Sequence, residues 1–194
     1  MNALPGQMLV DTGAPDGARA VALDALCTDV GRTWYPRHQE RSSALARLLL
    51  FTGWHGSDRA RSRAAPEGSA RSLFGLEPEH VRAVSQMLLH AVYRQDLARF
   101  EAATGLGGAR LRSASPEAVL EQATGDDRLA AALAAEVYRL GGPLPSRTDP
   151  RSSADTWFSR WVLVRGPERE RTRRLRIGAF QSDAEHVLKL LNRC

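Results

Sequence analysis

Apolar residues recur at helical spacing along most of this chain, and the breaks between them are marked by glycine and proline. Residues 1–17, with Pro5, Gly6, Gly13, Pro15 and Gly17, show little periodicity and read as an extended arm. Over 18–30, Val21, Leu23, Leu26, Cys27 and Val30 suit one helix face, with Gly31 as its stop. Trp34-Tyr35-Pro36 interrupts the pattern. A stronger helix is predicted over 39–54, where Leu45, Leu48, Leu49 and Thr52 share a face. The polar, small-residue stretch 56–72 contains Pro66 and Gly68 and reads as a loop, closing in a short hairpin near Leu73-Phe74. Glu77-Pro78-Glu79 opens the next helix, with Val81, Val84, Met87, Leu88 and Val92 as its stripe.

Residues 104–108 read as a turn. Ser115-Pro116-Glu117 is an N-cap signature for a short helix to about Gln122. Residues 126–140 are alanine-rich and helical, stopped by Gly141-Gly142-Pro143, and 144–152 are irregular. A helix with Trp157, Trp161 and Val164 runs to Gly166-Pro167, and Ser182-x-x-Glu185 has the form of a capping box for a last helix through Leu188 and Leu191. The pattern gives seven helices, almost no strand and no internal repeat, so the fold class is mostly α. It divides the chain into an N-terminal arm (1–17), a helical body (18–165) and a basic C-terminal helical segment (166–194).

Composition fits this picture: 43% of the 194 residues are hydrophobic and 25% charged, as in an ordinary globular protein. A chain of this length buries ~70% of its unfolded surface and needs no metal or disulfide to fold. No apolar run, Leu48 to Phe51 included, approaches the ~20 residues of a membrane span. The first ten residues carry no positive charge, so a signal peptide is not expected and synthesis is placed in the cytoplasm. Two cysteines, Cys27 and Cys194, make no disulfide framework. The net charge is +5 and the isoelectric point about 10.0, which favours acidic partners. Lys189 is the sole lysine among 27 basic residues, a bias that looks like GC-rich coding and weakens any argument from arginine alone.

Candidate chemistry is sparse. His38, His55, His80, His90 and His186 lack metal-ligand spacing and read as surface or half-buried residues, so neither a metal nor another cofactor is expected. There is no GxSxG elbow, and His55-Gly56-Ser57 puts its base and hydroxyl too close in sequence to pair. Gly105-Leu106-Gly107-Gly108 lacks the lysine of a phosphate loop. The densest charge lies between Arg165 and Arg176. On a helix, Arg169, Arg173 and Arg176 share a face that could track phosphates or meet a partner protein; the plainer reading is a solvated helix with Glu170–Arg174 pairing. Trp157 and Trp161 are read as core.

One stretch has a more specific order. Leu48-Leu49-Leu50-Phe51-Thr52-Gly53-Trp54-His55-Gly56-Ser57 is followed by Ala70-Arg71-Ser72-Leu73-Phe74-Gly75-Leu76-Glu77-Pro78. This resembles the lysozyme-like (transglycosylase-like) proteins of tailed bacteriophages, whose helix ends in Glu-Ser and whose loop leads to small-x-Phe-Gln-Met-Glu-Pro. Ala135-Glu136-Val137-Tyr138-Arg139, Pro143-Leu144-Pro145 and the segment from Trp157 to Trp161 look like that family's later helix, proline pair and tryptophan helix. The similarity covers roughly 40–165 and is one of order and spacing.

The resemblance implies a lysozyme-like helical domain, and the departures bear on its chemistry. The family's general acid falls on Gly56, and its glutamine on Gly75; neither glycine can donate a proton or bond a sugar. Catalytic residues are therefore not expected. Glu77 matches the family's Glu-Pro and is the fallback acid, although its first-turn position suggests capping; Asp58 is short and one turn off. The implied role is a structural component of a virion, in the tail or head-to-tail region. Its partners would be other virion proteins, with copies in a homo-oligomeric ring. Two alternatives stay open: an active peptidoglycan hydrolase using Glu77 or Asp58, and a basic nucleic-acid-binding module using Arg169, Arg173 and Arg176.

Overall fold

A computed structural model describes residues 8–63, 70–146, 148–162 and 170–193. Among them the chain is mostly helical, with nine α-helices and no strand beyond one isolated bridge. In chain order the α-helices are α1 (Asp16–Trp34), α2 (Gln39–Gly56), α3 (Pro78–Leu89), α4 (Arg94–Thr104) and α5 (Gly108–Ser113). They continue with α6 (Pro116–Thr124), α7 (Asp127–Leu140), α8 (Pro150–Trp157) and α9 (Glu170–Leu191). A 3₁₀ turn, Ala91–Tyr93, joins α3 to α4, and a π turn, Phe158–Val162, extends α8.

Helices α1 and α2 form the foundation as an antiparallel hairpin. Their close approach depends on Gly31, where a Cβ would stand 2.5 Å from the Ser42 carbonyl oxygen. Helix α7 runs through the centre, and Ala130, Ala131, Ala132, Ala134 and Ala135 are all fully buried. Small side chains let neighbouring helices come near its axis, so it is buried nearly all round and lacks the polar face of a surface helix. Its Asp126 carboxylate accepts from the Arg128 and Leu129 amides and fixes its start. Ser115 caps α6 through the Ala118 amide, and Pro116 and Pro78 occupy first-turn positions in α6 and α3. The predicted hairpin is reduced to its minimum. Arg71 and Leu76 exchange two backbone hydrogen bonds of 2.7 and 2.8 Å around a tight turn whose Leu73 and Phe74 side chains are buried.

Several boundaries differ from the pattern. The helix expected to reach Val92 ends at Leu89, because the chain turns at His90 and leaves Val92 exposed. Helices α4 and α5 were not legible: α4 fully buries only Phe100, too little for a periodic stripe. Ser182 is not a cap but lies inside α9, whose Phe180, Ala184 and Val187 face the core as one continuous stripe. Trp157 and Trp161 are core residues, as expected. One buried apolar cluster runs from Val10 to Val187, so the end of the arm and the C-terminal helix both contribute to it. No helix among the described residues is long and apolar enough to cross a membrane.

Candidate functional site

The resemblance points to the junction where the end of α2 meets the 71–76 turn and the start of α3. There the two glycines lie against each other. A Cβ on Gly56 would sit 2.9 Å from both the carbonyl carbon and oxygen of Phe74. Gly75 has φ +62°, and a Cβ on it would come within 3.2 Å of the Gly56 carbonyl oxygen. At both positions an added side chain would meet the facing backbone, so the end of α2 and the docked turn are held together by the absence of side chains.

Glu77 is engaged as the N-cap of α3. Its backbone N–H donates to His80 Nδ1 at 3.0 Å, and its side chain answers to the backbone of the third helical residue, a reciprocal box. His80 is fully buried, which corrects the expectation of surface or half-buried histidines throughout. Because Nδ1 accepts, Nε2 carries the hydrogen and donates to the Trp161 carbonyl at 3.0 Å, so the ring is the neutral Nε2–H tautomer. Glu77 and His80 together tie α3 to the end of α8.

Asp58 belongs to a different feature. Asp58, Arg59 and Ala60 have φ of 48°, 60° and 58°, three successive left-handed residues after α2. Ser57 supports this turn, accepting from the Ala60 amide at 3.0 Å while its own hydroxyl donates to the Gly53 carbonyl. Arg19, almost fully buried, donates to the Arg59 carbonyl at 3.0 Å and also holds Ala14 and Asp16. Nearby, His55 Nδ1 lies 2.8 Å from Asp183 Oδ2 and joins α2 to α9. His55 is not paired with Ser57, whose hydroxyl is turned to Gly53.

Two buried carboxylates were missed by sequence reasoning. Glu136 on α7 is fully buried and accepts from Trp34 Nε1 at 2.7 Å and from Arg139 Nη1 at 2.9 Å. Burial pushes its pKa above the usual glutamate value, outweighing the opposing pull of Arg139 and Trp34. Arg139 continues to Asp96 at 2.7 Å; desolvation lowers its pKa, but Glu136 and Asp96 reverse this and leave it raised. Asp127 accepts the Leu9 and Val10 amides at 2.6 and 2.9 Å and a two-pronged bond from Arg63 at 3.0 and 2.9 Å. Each acid accepts several charge-assisted or amide hydrogen bonds, Asp127 from distant segments and Glu136 from Trp34 and from Arg139 on its own helix, an arrangement that fixes structure.

The C-terminal basic face is only partly described. Arg169 and Cys194 lie outside the described residues. The Arg173 guanidinium sits 5.2 Å from the Phe158 ring centroid, covering the core edge, and Arg176 is half-buried with partners of its own. Cys27 is buried with a free thiol pushed well up in pKa by desolvation. Among the described residues no group of three or more His, Cys, Asp or Glu is placed to hold a metal ion.

Open space lies elsewhere, along the α1–α2 hairpin. One groove of about 700 Å³ is bordered by Thr28, Arg32, Arg37, Gln39, Ser43 and Arg47, with Tyr35 and Asp24 at its edges. A second, of about 540 Å³, shares Tyr35 and Ser43 and continues toward Pro143-Leu144-Pro145. Neither is lined by Gly56, Asp58 or Glu77. The sequence carried a signal for the first groove: Thr28/Arg32 and Gln39/Ser43/Arg47 recur every four residues on the polar sides of two predicted helices. No known protein family, characterised protein or solved structure matches the chain.

Proposed function

We propose that the chain is a structural component of a tailed-phage virion, in the tail or head-to-tail region, built on a lysozyme-like helical scaffold without glycosidase chemistry. The order of motifs over 40–165 supports the scaffold. The Gly56–Gly75 contact is the observation that carries the loss of chemistry: at the acid position a side chain would meet the backbone of the 71–76 turn. Glu77, the fallback acid, is spent on capping α3 and bracing His80. A chain stripped of catalysis keeps its surfaces, and copies arranged in a symmetric ring against other virion proteins would use them.

Two measurements test this reading. Mass spectrometry of purified particles from the source that expresses the chain should find it in a fixed copy number. Its presence in the lysate and absence from particles would overturn the virion role. The purified protein should leave peptidoglycan suspensions turbid. Clearing by the natural protein that disappears in Glu77→Gln would instead establish an enzyme with Glu77 as its acid.

A further inference from the structure

We infer that the α1–α2 groove binds the sugar–phosphate backbone of single-stranded nucleic acid, with Arg32, Arg37 and Arg47 as its phosphate contacts. The inference rests on the groove's own chemistry and holds whether or not the chain belongs to a virion.

The groove is built by the hairpin itself. Gly31 brings α1 onto Ser42 and Ala46 of α2, which sets the register of the two walls. Arg37 then stands in the connecting loop, Arg32 one turn down α1, and Arg47 further along α2 beyond the Ala46 contact. Basic groups are thus spread along the groove from its loop end to its middle. Arg32 and Arg37 are exposed and Arg47 is half-buried with its guanidinium 6.0 Å from the Phe51 ring centroid. None of the three has a carboxylate within ion-pair distance among the described residues, although Asp16, Asp29, Asp96, Asp127 and Asp183 each hold at least one arginine elsewhere. The guanidinium forks of these three arginines are therefore donors that can meet an outside anion.

The remaining wall groups agree with that. Thr28 and Ser43 supply hydroxyls and Gln39 an amide, all able to donate to phosphate oxygens, and Asp24 is the one acid on this lining. Tyr35 lines both grooves, half-buried with its inner side against the core, where the arginine-bearing first groove meets a second bordered by Glu40 and Arg41. A positive groove with an aromatic platform is the arrangement by which proteins hold a single strand, phosphates along the cations and a base against the ring. A duplex presents no unstacked base to Tyr35, and an acidic peptide would gain nothing from it.

The test is fluorescence anisotropy of a labelled oligothymidylate titrated with the full chain at several salt concentrations. With three single-strand phosphate contacts the logarithmic salt slope should be about −2, a loss of roughly 20-fold in affinity between about 50 and 200 mM salt. The variant Arg32→Ala/Arg37→Ala/Arg47→Ala should abolish that slope while far-UV circular dichroism and melting temperature stay as in the parent. Tyr35→Leu, which keeps apolar bulk, should weaken binding about tenfold and leave the slope alone. Absence of binding at low salt, an unaffected triple variant, or loss of binding in Arg173→Ala/Arg176→Ala instead would each overturn the proposal. So would equal affinity for the duplex, or displacement of the oligonucleotide by polyglutamate at matched charge.

Discussion

At Gly56 the backbone of the 71–76 turn approaches so closely that any side chain must push Phe74 away. Because the atoms in the way are main-chain atoms held by the Arg71–Leu76 bonds, they yield less readily than a flexible side chain. Gly56→Ala should therefore lose about 1–3 kcal/mol of stability in urea unfolding, the usual range for overpacking. Gly56→Glu should lose more and clear no peptidoglycan. An unchanged unfolding midpoint in either variant would show that the turn can lift away from α2, and with it that an acid could be seated there. Gly75 is needed for a second reason, its left-handed φ, which an L side chain adopts only with strain. Sequence alone could mark both glycines as departures from a catalytic pattern. It could not say that the two departures are one contact.

Between elements, the connections with most at stake are the buried acids. Glu136 joins α1, through Trp34, to α7 and, through Arg139 and Asp96, to α4. Its pKa is raised in the folded state because burial disfavours the carboxylate, so the folded protein holds this proton more tightly than the unfolded chain does. Its contribution to stability is fully present below the unfolded value of 4.5 and declines as pH rises through the raised folded value. In a urea-unfolding series across that interval, Glu136→Gln should flatten this decline. A variant whose pH profile superimposes on that of the parent would remove Glu136 from the account. Other elements show why pattern reading falters. The Ser182 capping motif was overruled because the apolar stripe of α9 runs straight through it, and a cap has no function where the preceding residues are already helical. Helix α4 escaped notice because a single buried phenylalanine anchors it and its remaining support is ionic, with Asp96 held by Arg99 and Arg139.

At the scale of the molecule, α9 is tied to the body by Phe180, which stacks on Trp157 at 4.7 Å and meets Phe51 edge-on at 6.4 Å. The His55–Asp183 pair reinforces the same seam. Phe180→Ala should lower stability by about 3–5 kcal/mol, the range for emptying a buried aromatic site. Since one apolar cluster includes α9 and the hairpin, the loss should appear as a shifted single transition, with tryptophan fluorescence and circular dichroism changing together. An added early transition in one probe would mean that the C-terminal helix unfolds as a separate unit.

The amino-acid sequence by itself determined the helical class, the two helices that become α1 and α2, the caps at Ser115 and Glu77, and the burial of Trp157 and Trp161. These depend on periodicity and on bonds within a few residues, which a linear pattern records. Only the tertiary structure decided that Gly56 and Gly75 lie against each other, that Glu136 accepts from Trp34 across 102 residues of chain and Asp127 from Leu9 and Val10 across more than 110, and that three arginines border one groove. Such features depend on which distant segments meet. Close approach, desolvation and charge clustering are properties of distance in space, and neighbouring positions in a sequence do not encode them one residue at a time.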